Sequence, residues 1–381
     1  MSRTLIALSL FSGTLSLSAQ WEALPAPIID IFSIQALDAQ TLRAGGNGSL
    51  LLSDDGGDSW DTTHITFLGT EFPGLLYDVY FTSTTNGFAV GAFSSNQALV
   101  LHTTDGGQDW SPAYFDEVGT APLTTEAIAF PTSSVGIVVG SSGKVLRSTT
   151  SGSSWALVAS GTTSRLYDVE FTSATTGCAV GENVILRTTN AGLNWTVQSV
   201  SGSLRSVSFS DANNGFAIGA ANALFRTVNG GASWQAVVPL LMTLVDFTAI
   251  HAASASLLYA TGDNRMWRST DAGIHWEWQS APASLQDVTF IGGVGFAVGA
   301  AGTIMRTGDS EGPYAPSPYF TIAPAIACED SILTCSNGSA PGLSFTWLLN
   351  GLPFSTSEDA VVILPEPAQL DTIGLVASNG L

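Results

Sequence analysis

The sequence predicts an all-β chain: a seven-bladed β-propeller whose N-terminal strand closes the last blade, followed by a partial C-terminal β-sandwich. Three observations predict it. A short motif recurs along most of the chain at a spacing of about 40 residues, which is the size of a four-stranded blade. Between its copies lie short runs of β-branched and aromatic residues punctuated by glycine, as strands and turns require. A Pro-rich stretch near residue 313 then separates the repeats from a region of different composition.

The motif is Ser/Thr-x-Asp-x-Gly-x-x-Trp. It reads Ser53-Asp54-Asp55-Gly56-Gly57-Asp58-Ser59-Trp60 and again Thr103-Thr104-Asp105-Gly106-Gly107-Gln108-Asp109-Trp110. The copy ending at Trp155 has Thr150 at the Asp position, those ending at Trp195 and Trp234 have Asn190 and Asn229, and Asp271 returns before Trp276. A decayed copy starts at Thr307 and lacks the tryptophan. The chemistry is that of a tight hairpin. The Asp or Asn oxygen accepts turn N–H groups, Gly57 and Gly107 supply a positive φ, and the indole packs back over the strand ends. The motif is therefore read as a structural staple rather than a catalytic group.

Upstream of the motif a second phrase recurs, as in Leu76-Tyr77-Asp78-Val79-Tyr80-Phe81, then Gly87-Phe88-Ala89-Val90-Gly91, then Leu99-Val100-Leu101. Four strands per unit follow. The last unit lacks its fourth strand, and Trp21-Glu22-Ala23-Leu24-Pro25 resembles the missing Trp-led one. Completion of the last blade by the N-terminus would remove open edges that otherwise invite aggregation.

These repeats resemble the Asp-box (BNR) superfamily. The phrase Asp-Val-x-Phe, Gly-Phe-Ala-Val-Gly, Leu-Arg-Thr-Thr-x-x-Gly-x-x-Trp is most similar to the photosystem II stability and assembly factor family, over roughly residues 21 to 312. The resemblance implies a propeller, and by the family name a role in photosystem assembly. It says little of activity, because sialidases, xyloglucanase-type glycoside hydrolases and sortilin-like receptors share the box.

Residues 1–20 read as a signal peptide: Arg3 forms the charged start, Leu5 to Leu17 the apolar run, and Ser18-Ala19-Gln20 the small residues for cleavage. The apolar run is too short to span a bilayer as a helix. A secreted or periplasmic protein of a Gram-negative bacterium, without membrane insertion after signal removal, is expected. The remaining divisions are 21–312 for the propeller, 313–318 for the linker and 319–381 for a PKD- or Ig-like β-sandwich, truncated at its end. With 31 acidic against 11 basic residues the net charge is −20, which repels nucleic acid and anionic lipid. Of the three cysteines, Cys178 sits where other repeats carry Phe or Ile and is expected to be buried packing. Only Cys328 and Cys335 could pair.

Signs of chemistry are sparse. His64, His102, His251 and His275 have no metal-ligand spacing, so neither a metal nor a cofactor is expected. Arg147, Arg187, Arg226, Arg268 and Arg306 share one repeat position before the box, which marks a strand position rather than a converged arginine set. Asp78, Asp168 and Asp287 likewise recur at one strand position, whereas Glu71, Asp116, Glu117 and Glu126 do not recur. Two insertions between the first three repeats, 62–75 and 112–126, and an enlarged loop within the second, 92–97, carry Phe67, Phe72, Phe93, Tyr114 and Phe115 beside Glu71, Asp116 and Glu117. Aromatics next to acids on loops of a rigid scaffold suit contact with a protein or polysaccharide. The alternative is that they cover blade edges. The expectation is a monomeric, non-enzymatic binding scaffold. A two-carboxylate glycoside hydrolase and a photosystem assembly factor are the other two readings.

Overall fold

A computed structural model describes residues 21–307, except 68–69, 73, 94–96, 117–123 and 242. Further on it describes 320–323, 332–337, 344–349, 352–357, 360–363 and 373–378. The proposed leader 1–20, the linker 313–318, Glu117 and Cys328 lie outside the described residues. The chain divides into two compact units, one of which is Gln20–Glu311.

The alternation of glycine with buried apolar residues builds each innermost pair of strands. Leu75–Phe81 pairs antiparallel with Gly87–Phe93, which pairs with Gln97–Thr103, which pairs with Ser111–Phe115. The other repeats follow the same meander. The seven-bladed expectation is corrected, however: counted as hydrogen-bonded sheets the ring has six blades, five of four strands and one of six. Thr196–Phe209 runs as a single strand that is the outer strand of the fourth repeat and the innermost strand of the fifth, whereas the equally short link after Trp276 breaks between Glu277–Ser280 and Leu285–Ile291.

Closure by the N-terminus is observed. Glu22–Leu24 pairs antiparallel with Ile304–Thr307, with Glu22 opposite Arg306. Trp21 is buried, its ring 5.7 Å from Phe290 and its carbonyl accepting from Gln279 Nε2 at 2.9 Å. Burying an indole in this way is worth several kcal/mol, on the order of 3, so the closing strand is anchored by packing as well as by its ladder.

Neighbouring sheets bury mixed clusters. Leu50 and Leu52 of the first repeat pack with Leu76, Val79, Phe81, Leu99 and Leu101 of the second. Two kinds of polar stitch run between repeats as well. On the box side, Arg147 Nε donates to Ala191 O at 2.7 Å, Arg187 Nε to Gly230 O at 2.8 Å, and Arg306 Nη1 to Gly56 O at 3.0 Å. Each of these pre-box arginines thus caps the box turn of the next repeat. On the innermost strands, Asp78 Oδ2 accepts from Ile128 N at 2.9 Å, Asp168 Oδ2 from Val207 N at 2.8 Å, and Asp287 Oδ2 from Ile34 N at 2.9 Å. Ser33 Oγ adds a bond to Asp78 at 2.7 Å.

The box turns have the geometry their residues require. In the first, Gly57 N donates to Ser53 Oγ and Ser59 N to Asp55 Oδ1, each at 2.9 Å, and Trp60 Nε1 to Gly57 O at 3.1 Å. The copies at Asp105 and Asp271 repeat this, with Trp110 and Trp276 bonded to Gly107 and Gly273. Where Thr150, Asn190 or Asn229 replaces Asp, the indole N–H of Trp155, Trp195 or Trp234 finds no acceptor among the described residues. Cys178 is buried and free.

The C-terminal region contributes two three-stranded sheets. One orders Phe320–Ala323, Ile332–Asn337 and Ala360–Ile363, the other Leu352–Ser355, Ser344–Leu349 and Ile373–Ser378. The expected sandwich is not supported. Trp347 is buried, but most side chains that would have to interdigitate between the two sheets lie outside the described residues. The Cys328–Cys335 pairing falls outside them too.

The innermost carboxylates titrate unusually. Burial raises Asp78 to about 8 and Asp287 to about 6, opposed by the backbone bonds they accept and reinforced by the charge of neighbouring aspartates. Burial likewise raises Glu170 to about 8. The folded chain therefore holds protons that the unfolded chain, titrating near 4, has released, and stability falls as pH rises through these values. We expect the melting temperature to drop between about pH 5 and pH 8.5, and Asp78→Asn to flatten that slope. A slope unchanged by the substitution would refute the assignment.

Candidate functional site

A cleft of about 850 Å³ opens beside the third repeat. Its walls come from three places: the end of Ser111–Phe115 with Asp116, the turn Ser141–Gly143 running into Lys144, and Leu157 to Thr163 at and after the outer strand Ala156–Val158. Gly143 brings two of these walls together. A Cβ there would sit 2.0 Å from Thr162 O, and its φ of +70° also disfavours a side chain. The turn and the following loop can touch only because that position is glycine.

The floor is polar and internally paired. Lys144, the one lysine of the sequence, bonds Asp116 Oδ2 through Nζ; its side chain is 5% exposed and that of Asp116 13%. Tyr114 OH donates to Asp116 Oδ1 at 2.5 Å, and the ammonium lies 5.4 Å from the Tyr114 ring centroid. Burial and the neighbouring carboxylate hold the Tyr114 phenol above its usual range. The walls add hydroxyls from Ser141, Ser142, Ser160, Thr162 and Thr163, with Leu157, 71% exposed, at the rim.

Of the sequence-predicted residues, Tyr114 and Asp116 line this cleft. Phe72, Phe93 and Phe115 do not: Phe72 is buried and the other two pack against the same apolar cluster. Their rings stack in series, Phe72 to Phe93 at 5.8 Å and Phe93 to Phe115 at 5.9 Å. Phe67 and Glu71 lie on the two-stranded ribbon Thr66–Phe67 and Thr70–Glu71, with their side chains outside what is described. Sequence reasoning missed Lys144, Leu157 and the hydroxyl wall. The rarity of lysine in a chain with ten arginines was the available signal.

The family model for the photosynthesis system II assembly factor YCF48 matches residues 64–160 and 148–244. Among solved structures, a YCF48 bound to a D1 peptide is similar at 19% identity and a TM-score of 0.61, covering 76% of this chain and 95% of that one. A YCF48 from Cyanidioschyzon merolae gives 18% and 0.59, covering 76% and 98%. A GH74 xyloglucanase from Xanthomonas campestris gives 14% and 0.62, covering 86% of this chain but 57% of its own. These likenesses show the shared propeller fold. No curated protein matches the sequence.

Removing Lys144 would leave Asp116 charged and nearly buried without its cation. Lys144→Met should cost about 3 kcal/mol in guanidinium unfolding, and adding Asp116→Leu should recover much of it. A single variant as stable as the parent would show that the pair is solvated.

Proposed function

We propose that the ring is a non-enzymatic scaffold that binds an extended segment of a partner protein in the cleft between Asp116, Lys144 and Leu157. The observation that carries this reading is the pairing of Asp116, the one carboxylate among the described lining residues: both its oxygens are engaged, by Lys144 and Tyr114. Glycoside hydrolysis uses two carboxyl groups facing each other about 5 to 10 Å apart, and the described lining holds one.

What remains suits an extended chain. Hydroxyls and turn backbone offer hydrogen bonds, the outer strand Ala156–Val158 ends at the cleft, and Leu157 supplies an apolar contact. Edge strands beside pockets bind peptides through main-chain bonds, with the pockets reading side chains. The similar YCF48 structure bound to a D1 peptide supports a peptide as the class of ligand, and the YCF48 family match supports a role in assembling a larger complex. Export through the N-terminal leader belongs to the same proposal and would place the partner outside the cytoplasm.

A phage-displayed dodecapeptide library selected on the full chain tests it, with reducing-sugar release from xyloglucan measured in parallel. Selected peptides should bind about tenfold more weakly to Leu157→Asp, a loss of about 1.4 kcal/mol, with no sugar released. Sugar release that disappears in Asp116→Asn would overturn the scaffold reading.

A further inference from the structure

Three repeats join their second and third strands by the same turn. In the third, fifth and seventh it is Ser141–Gly143, Ala220–Asn222 and Ala300–Gly302. The middle residue is left-handed each time, with φ of +55° at Ser142, +54° at Ala221 and +53° at Ala301. The residue after the turn closes it in all three: Lys144 N donates to Ser141 O at 3.1 Å, Ala223 N to Ala220 O at 3.1 Å and Thr303 N to Ala300 O at 3.0 Å. In two of the three the middle N–H reaches out of the turn to a carboxylate. Ala221 N donates to Asp246 Oδ1 and Ala301 N to Asp30 Oδ1, each at 2.9 Å. Both acceptors stand immediately before the innermost strand of the following repeat, which starts at Phe247 and at Ile31.

The third turn lacks that acceptor. The innermost strand of the fourth repeat starts at Leu166, and the residue before it is Arg165. The positions are equivalent in space as well as in sequence, because the carbonyls of Asp30, Arg165 and Asp246 lie against the same second-strand glycine, Gly46, Gly181 and Gly262. A guanidinium accepts no hydrogen bond, and this one is engaged elsewhere: Arg165 Nη2 donates to Glu126 Oε1 at 2.8 Å and the group lies 5.0 Å from the Tyr167 ring. The two acids of this corner are committed too. Glu126 Oε1 takes Thr124 and Arg165, and Asp116 takes Lys144 and Tyr114. Ser142 is exposed and lines the cleft. Among the described residues no carboxylate accepts from its N–H.

We propose that the Ser142 turn is the cleft's subsite for an acidic side chain: an aspartate of the bound segment supplies the carboxylate that Asp246 and Asp30 supply in the sister repeats. A hydrogen bond from backbone N–H to a charged acceptor is of the strong kind. The corner admits the anion without local repulsion, because Lys144 and Arg165 balance Asp116 and Glu126. The hydroxyls of Ser141, Ser142 and Thr163 in the same wall leave donors for the second carboxylate oxygen. With a net charge of −20 the chain does not draw an acid from a distance, so recognition here is by contact and not by steering. The inference rests on the reading of the cleft as a peptide site and adds the chemistry of one residue of that peptide.

The test follows the amide resonances of Ser142, Ala221 and Ala301 in the full chain during titration with N-acetyl-aspartate methylamide, its asparagine counterpart, and N-acetylglycine. The aspartate compound should shift Ser142 saturably and bind about tenfold more tightly than the asparagine compound, while Ala221 and Ala301, already filled, stay still. The exposed substitution Asp246→Ala should make Ala221 respond as Ser142 does. Arg165→Asp should supply the missing acceptor and silence Ser142; the Asp246→Ala arm decides even where this second variant, which strips Glu126 of its cation, fails to fold. No saturable shift at Ser142, an equal one from the asparagine compound, or an Ala221 that stays silent in Asp246→Ala overturns the proposal, and a response to N-acetylglycine without the aspartate compound overturns its side-chain source. If library peptides bind the cleft while Ser142 ignores the carboxylate, the subsite fails and the scaffold stands. A Ser142 response without any selected peptide keeps the carboxylate site and removes the peptide reading.

Discussion

The ring hangs on one kind of bond: a carboxylate on the innermost strand of one repeat accepting the backbone N–H of the next. Asp78, Asp168 and Asp287 each take that N–H with one oxygen, and each uses the other for the N–H of the residue that follows. Sheets packed face to face share no ladder, so apolar clusters alone would leave their relative slide weakly fixed. A carboxyl acceptor bonded to the next sheet's backbone fixes it, because an unmade bond at such depth costs about 1–3 kcal/mol. Ser33 and Ser206 occupy the same strand position in other repeats, and Ser206 also accepts an N–H of the next repeat, from Ile250 at 3.3 Å.

The same strands carry a backbone irregularity at the stitch. A register shift precedes Asp78, whose carboxyl reaches Ile128 of the third repeat with one oxygen and Ser33 of the first with the other. The outer strands carry no such constraint. They end in turns whose composition varies between repeats, and at the third repeat Lys144, Asp116 and Gly143 combine into a cleft.

Much of this was legible in the sequence because repetition marks structure. The boxes, the pre-box arginines and the recurring Asp78 position all announce themselves by period, and Trp21 to Leu24 stood out as the missing Trp-led strand. Blade count did not survive, because whether Thr196–Phe209 breaks or runs on depends on hydrogen bonding through a short link that composition does not report. The site was half legible. Tyr114 and Asp116 were visible as non-recurring residues on an insertion, but Phe72, Phe93 and Phe115 looked equally available and instead fill the junction between the first two repeats. Lys144 comes from another sheet, and only the fold brings it to Asp116.

Amide hydrogen exchange at Ile34, Ile128 and Val207 tests the stitching role of the innermost carboxylates most directly. If these bonds set the repeats in place, all three amides exchange among the slowest of the ring. Asp287→Ala then accelerates Ile34 and the closing strand Glu22–Leu24 while leaving Val207 slow. Unchanged protection of Ile34 in that variant would show that apolar packing alone positions the repeats, and would contradict the role assigned to the carboxylates.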